Sequence, residues 1–122
     1  FEVDMLVSPH FYQWGWRIDS LYTYDKVFIC FENRYFHPIG TPFFKDHEAF
    51  GVWTANMLDP NKRIAVSYSN PFLVNFYEEI ASMKVNAYSC DSFSQRAVVK
   101  ALCGEIPFTG KSPVKLNPEE LK

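Results

Sequence analysis

Glycine is scarce in this chain, with five among 122 residues. Neither a Gly-x-Gly-x-x-Gly turn nor a Walker-type phosphate loop is present. The glycine-rich turns that let a backbone close around phosphate are therefore missing, and nucleotide cradles are unsupported. Cysteine is scarcer still. Cys30, Cys90 and Cys103 form an odd set with no Cys-x-x-Cys pair, which removes the usual zinc and dithiol spacings. They read as reduced, buried thiols, Cys30 inside an apolar run and Cys103 on a helix, and fit a reducing compartment such as the cytoplasm. The histidines, His10, His37 and His47, have no paired spacing. A Gly-x-Ser-x-Gly elbow is also lacking. No metal and no cofactor is expected. The net charge is only −2, which gives no general pull toward nucleic acid or an anionic membrane. Apolar runs stay well short of a bilayer span, and no signal-peptide pattern opens the chain. The chain starts at Phe1 with strand-like residues and no Met, and is expected to be part of something longer.

Aromatic bulk is what the chain does have. Phe, Tyr and Trp make up 18% of residues, as twelve Phe, seven Tyr and three Trp. The hydrophobic share is 48% and the charged share 21%. That is the balance of an ordinary globular protein with a dense core and, at this aromatic content, one adhesive surface. A length of 122 residues suits one domain, residues 1–122, that buries a core without staples.

Residues 26–31 (KVFICF) and 63–69 (RIAVSYS) are short, nearly continuous apolar runs, and 85–89 (VNAYS) is a weaker third. Such runs predict strands covered on both faces, as in parallel sheets. Helical spacing lies between them. Over 44–58, Ala49, Phe50, Trp53 and Met57 step by three and four onto one face. Thr41 and Pro42 open that helix, and Asp59-Pro60-Asn61 ends it. Asn70-Pro71 opens a second helix over 71–79 in the same way. Ser92 to Gln95 has the spacing of a capping box. The helix that follows is expected to turn Ala97, Val98, Ala101 and Leu102 inward until Gly104 stops it. Residues 3–7 predict a further strand, 18–24 a short helix, 114–116 a final edge strand and 117–122 a flexible tail. The alternation predicts an α/β fold. Its expected form is a three-layer open, mostly parallel sheet with helices on both faces, a flavodoxin- or Rossmann-like sandwich with right-handed crossovers.

Open α/β sheets bind ligands beyond the carboxyl ends of their strands. That rule selects Glu32, Asn33 and Arg34 with the loop to Pro42, then Asn70, then Cys90, Asp91 and Ser92. Glu32 and Asp91 could meet as a carboxylate pair for acid–base or glycosidic chemistry. The plainer reading makes Glu32 a solvated loop residue and Asp91 a helix-start charge favoured by the dipole. His37, in the loop RYFHPIG, stands at the same end, while His47 is expected to face solvent. Glu32, Arg34, His37 and Asp91 are therefore the candidate substrate-binding residues. None is assigned as catalytic or as a metal ligand. Asn70, Thr41 and Ser92 are each accounted for as helix caps. The aromatic blocks at 10–16 (HFYQWGW) and 35–44 admit three roles: a sugar-stacking platform, a surface packed against another domain, or plain core.

One series of landmarks runs through residues 63–116. An apolar strand is followed by Asn70-Pro71, a second strand ends in Ala87-Tyr88-Ser89, and a helix carries small residues over 97–102. Gly104-Glu105-Ile106, Thr109-Gly110-Lys111 and Pro113-Val114 complete it. In this order the landmarks resemble the C-terminal domain of bacterial-type glycoside hydrolase family 3 enzymes, most closely the β-N-acetylglucosaminidase (β-hexosaminidase) branch. The resemblance covers a little under half the chain. Residues 25–31 fit the family's preceding strand loosely, and 1–24 and 33–43 have no counterpart. It implies retaining hydrolysis of terminal β-linked sugars through a covalent glycosyl-enzyme intermediate. It also implies a partner, an N-terminal (β/α)8 barrel of the same parent chain. That barrel carries the nucleophilic Asp and, in this branch, a His–Asp acid/base dyad. In the β-glucosidase branch a Glu of the C-terminal domain is the acid/base. Its loop has no match here, and the role is not carried over to Glu32.

A retaining glycosidase needs two carboxyl groups ~5 Å apart. This chain offers one candidate pair, so by itself it is expected to be inactive. Two other readings stand beside the auxiliary domain. One is a stand-alone flavodoxin-like module that binds a small ligand, carbohydrate included, or a protein through its aromatic loops. The other is an independent enzyme built on Asp91, Glu32 and His37. Exposed aromatics on a domain without its barrel could also drive homodimerisation.

Overall fold

The structure, a computed structural model, describes residues 18–32, 53, 55–76 and 81–115. A one-turn helix α1 (Ile18–Leu21) precedes β1 (Val27–Phe31), and a 3-10 helix (Pro60–Lys62) leads into β2 (Arg63–Ser67). Then come α2 (Leu73–Phe76), β3 (Met83–Asn86) and α3 (Ser92–Leu102). The strands are parallel, in the order β1-β2-β3. Their register pairs Phe28 with Ile64, Ile29 with Ala65, Ile64 with Met83 and Val66 with Val85. Every residue of β2 is buried, as expected of the middle strand in a parallel sheet. The ladder runs one step beyond the strands. Tyr68 N–H donates to the Phe31 carbonyl and Ala87 N–H to that of Ser67, each at 2.9 Å.

Strand alternation divides the apolar side chains between two cores. Ala65 faces one side, with Phe31 of β1, Leu73 and Val74 of α2, and Ala81. Ile64 and Val66 face the other, with Val85 of β3 and Val98 of α3, edged by Tyr68, Ala87 and Leu102. The side chains of α2 and α3 thus meet opposite faces of the sheet. Leu73, Val74 and Val66 are each 1% exposed, and burying such a side chain contributes ~1.5–3 kcal/mol.

Basic side chains tie the entry points of the strands together. Lys62 Nζ donates to the Tyr22 and Tyr24 carbonyls at 3.3 Å, and Lys26 Nζ to the Asn61 carbonyl at 2.8 Å. These bonds satisfy carbonyls that α1 and the 3-10 turn leave without a helical partner. Arg63 is buried, and its Nη1 donates to Asn56 Oδ1 at 2.6 Å.

Strands β1 and β2 form where the apolar runs predict them. Other details differ from the sequence reading. β3 begins two residues before the 85–89 run and stops at Asn86. Tyr88 takes a left-handed backbone, φ 61, which an extended strand cannot continue. The cap of α3 is Asp91 rather than Ser92, because the carboxylate accepts two backbone N–H groups at once. Gln95 does reach back, but its Nε2 donates to the Cys90 carbonyl at 2.9 Å. Ala97 is exposed. The inward stripe of α3 is Val98, buried, with Ser94, Ala101 and Leu102 half-buried, a spacing of one helix face.

Trp53 and Met57 also point outward, 56% and 52% exposed, while Ala55 and Leu58 are buried. Asn56 N–H bonds the Trp53 carbonyl and Leu58 N–H that of Ala55, each at 3.1 Å. Trp53 and Ala55 are helical, as the spacing predicts, and these bonds tighten the last turn of that helix before Asp59. Pro71 and Phe72 form a turn, so α2 starts at Leu73. No strand forms over 114–115. The Ser112 hydroxyl donates to the Val114 carbonyl at 2.6 Å and accepts from its N–H at 3.3 Å, taking both groups a ladder needs. The strand over 3–7, residues 44–52 of the first long helix, its Thr41 and Pro42 cap, residues 77–79 of the second and the tail 117–122 lie outside the described residues.

Candidate functional site

Parallel strands bring their carboxyl ends to one side of the sheet, where the candidate ligand residues fall. β1 delivers Glu32, which is exposed, and β3 delivers the segment from Tyr88 to Asp91. β2 stands between them, and neighbouring strands lie ~4.8 Å apart, so the ends of β1 and β3 are roughly 10 Å from each other. Arg34, His37 and the aromatic blocks at 10–16 and 35–44 lie outside the described residues.

Asp91 is held on all sides by its own loop. Its Oδ1 accepts from the N–H groups of Phe93 at 2.8 Å and Ser94 at 2.9 Å. Its Oδ2 accepts from the hydroxyls of Ser89 at 2.5 Å and Ser94 at 2.9 Å. The Ser89 hydroxyl first, then the N–H and hydroxyl of Ser94, hold the carboxyl well below the usual carboxylate range. Each of these bonds favours the ionised form. At neutral pH Asp91 is therefore a carboxylate and not a proton donor. The roughly four acceptor positions of a carboxylate are all occupied. This is the work of an N-cap placed in the positive field of α3.

Asn70 is bonded in a comparable way. Its Oδ1 accepts from Phe72 N–H at 3.0 Å, and its carbonyl accepts from the Ser67 hydroxyl at 2.6 Å and from Leu73 N–H at 3.2 Å. It anchors the turn from β2 into α2.

At two residues of this end, Tyr88 and Asn86, the sequence predicts strand but not the geometry that the structure gives them. Tyr88, besides its left-handed backbone, shares a hydrogen bond with Ser112 across 2.5 Å between their hydroxyl oxygens. That bond fastens the segment after α3 to the segment before it. Asn86 is the register partner of Ser67, and its Oδ1 is buried with no hydrogen-bond partner. A strand pattern carries no signal for either feature, because both depend on the loop beyond the strand.

The cysteines depart from the expected burial. Cys30 and Cys103 are exposed and Cys90 is half-buried, and all three are free thiols. Although Cys30 is exposed as a residue, the protein around it still desolvates its thiolate and pushes the thiol up. Burial, and then the charge of the Cys30 thiolate, likewise raise the neighbouring Tyr68 hydroxyl. A thiol shifted this way is protonated at neutral pH and is a weak nucleophile.

Among the described residues, no group of three or more His, Cys, Asp or Glu is placed to hold a metal ion. No helix among them is long and apolar enough to cross a membrane. The described residues beyond the strands thus present one carboxylate engaged in capping, Asp91 after β3, and an exposed one, Glu32, after β1, with β2 between the two strands. A scan against protein-family models, a search of curated proteins and a search of solved structures find no match to this chain.

Proposed function

We propose that this chain is the auxiliary C-terminal α/β domain of a family 3 retaining glycosidase that removes terminal β-linked N-acetylhexosamine. In this reading the nucleophile and the acid/base sit on an N-terminal (β/α)8 barrel of the same parent chain. The ordered landmarks in residues 63–116 carry the reading. Their use in the fold supports it. Asn70-Pro71 turns the chain from β2 into α2, Gly104 closes α3, and Ser112 beside Pro113-Val114 fastens the following segment to Tyr88. Each of these landmarks has a structural use in the described residues. We read the sheet as the centre of a three-layer, flavodoxin- or Rossmann-like sandwich. The placement of α2 and α3 side chains on opposite faces supports that form.

The test is hydrolysis of a chromogenic aryl β-N-acetylglucosaminide by residues 1–122 and by the full parent protein, side by side. Turnover by the parent alone is the expected result. Robust turnover by residues 1–122 would overturn the auxiliary role, and turnover by neither would overturn the sugar assignment. The second reading is a stand-alone binding module of flavodoxin-like shape. It is favoured by apolar side chains left in solvent around α3: Tyr88 is 37% exposed, Phe93 81% and Phe108 60%. The parent reading frame separates the two. An upstream barrel of ~200 residues or more supports the first, and a start codon just before Phe1 supports the second.

A further inference from the structure

We draw no further inference here: the strongest candidate, the β1 flank of the sheet where Phe28 and Cys30 are exposed, is an apolar surface patch, and nothing in the structure shows what covers it.

Discussion

The carboxylate of Asp91 accepts from two backbone N–H groups and two hydroxyls, and its folded-state pKa is depressed. As pH falls, the unfolded chain takes up this proton first, near the ordinary value of ~3.9. The stability supplied by Asp91 is therefore in full effect above that value and is lost progressively below it, toward the lower folded value. Thermal melts followed by circular dichroism from pH 7 to pH 2.5 should show it. The expected profile is level above about pH 5 and falls below about pH 4. Asp91→Asn should keep most of the neutral-pH stability, since an amide oxygen also caps, and should flatten the acid side. Asp91→Ala should lower the melting temperature at pH 7 by a few degrees. An Asn variant as steep in acid as the parent would mean that other groups control the transition. Cys30 gives a second expectation. With Cys90 and Cys103 replaced by Ser, its reaction with a disulfide reagent should be slow at pH 7 and should keep rising with pH beyond the point, ~8.5, where an ordinary thiol levels off. A rapid reaction at neutral pH would show an ionised thiol and contradict the effect of burial.

At the scale of elements, the end of α3 rests on Gly104. Its φ of +77 lies in the left-handed region, and a Cβ built there meets nothing within 4 Å. Two bonds close the helix around it, Glu105 N–H to the Lys100 carbonyl at 2.9 Å and Gly104 N–H to the Ala101 carbonyl at 3.1 Å. This is the Schellman pattern. With steric room available, the cost of Gly104→Ala comes from the backbone alone, ~1–2 kcal/mol. Urea unfolding should show that loss with an unchanged slope. No loss would mean that the helix end reforms without the left-handed residue. This glycine was legible in the sequence, as were β1 and β2, because continuous apolar runs bounded by polar residues leave few alternatives. The end of β3 was not, since nothing in VNAYS marks a tyrosine for a left-handed backbone. Trp53 and Met57 match a helical face by spacing, but spacing does not say which face meets the core, and Ala55 and Leu58 are the buried pair. At the cap of α3, Asp91 and Ser92 are adjacent and both chemically suited. Only the geometry of Ser89 and Ser94 around one carboxylate decides between them. The same holds for the candidate site. The sequence located Asp91 at the carboxyl end of β3, but the bonds that occupy it come from neighbours on both sides of the cap.

At the scale of the molecule, parallel strands pair only across crossovers, and the two crossovers here are unequal. β2 joins β3 across residues 68–82 and joins β1 across residues 32–62, a connection about twice as long. Each doubling of a flexible connection adds ~0.6 kcal/mol of closure entropy. Contacts of shorter sequence separation also tend to form earlier. The unit of β2, β3 and α3, with Val66, Val85 and Val98 in one cluster, should therefore be the first to condense. The expected kinetic signature is that Val85→Ala mainly slows refolding, while Phe31→Leu mainly speeds unfolding. Stopped-flow chevrons would read both, and equal partitioning in the two variants would contradict this order. In that order the unequal crossovers give the sheet a history as well as a shape, with its later half in sequence expected to assemble first and β1 to join a template already in place.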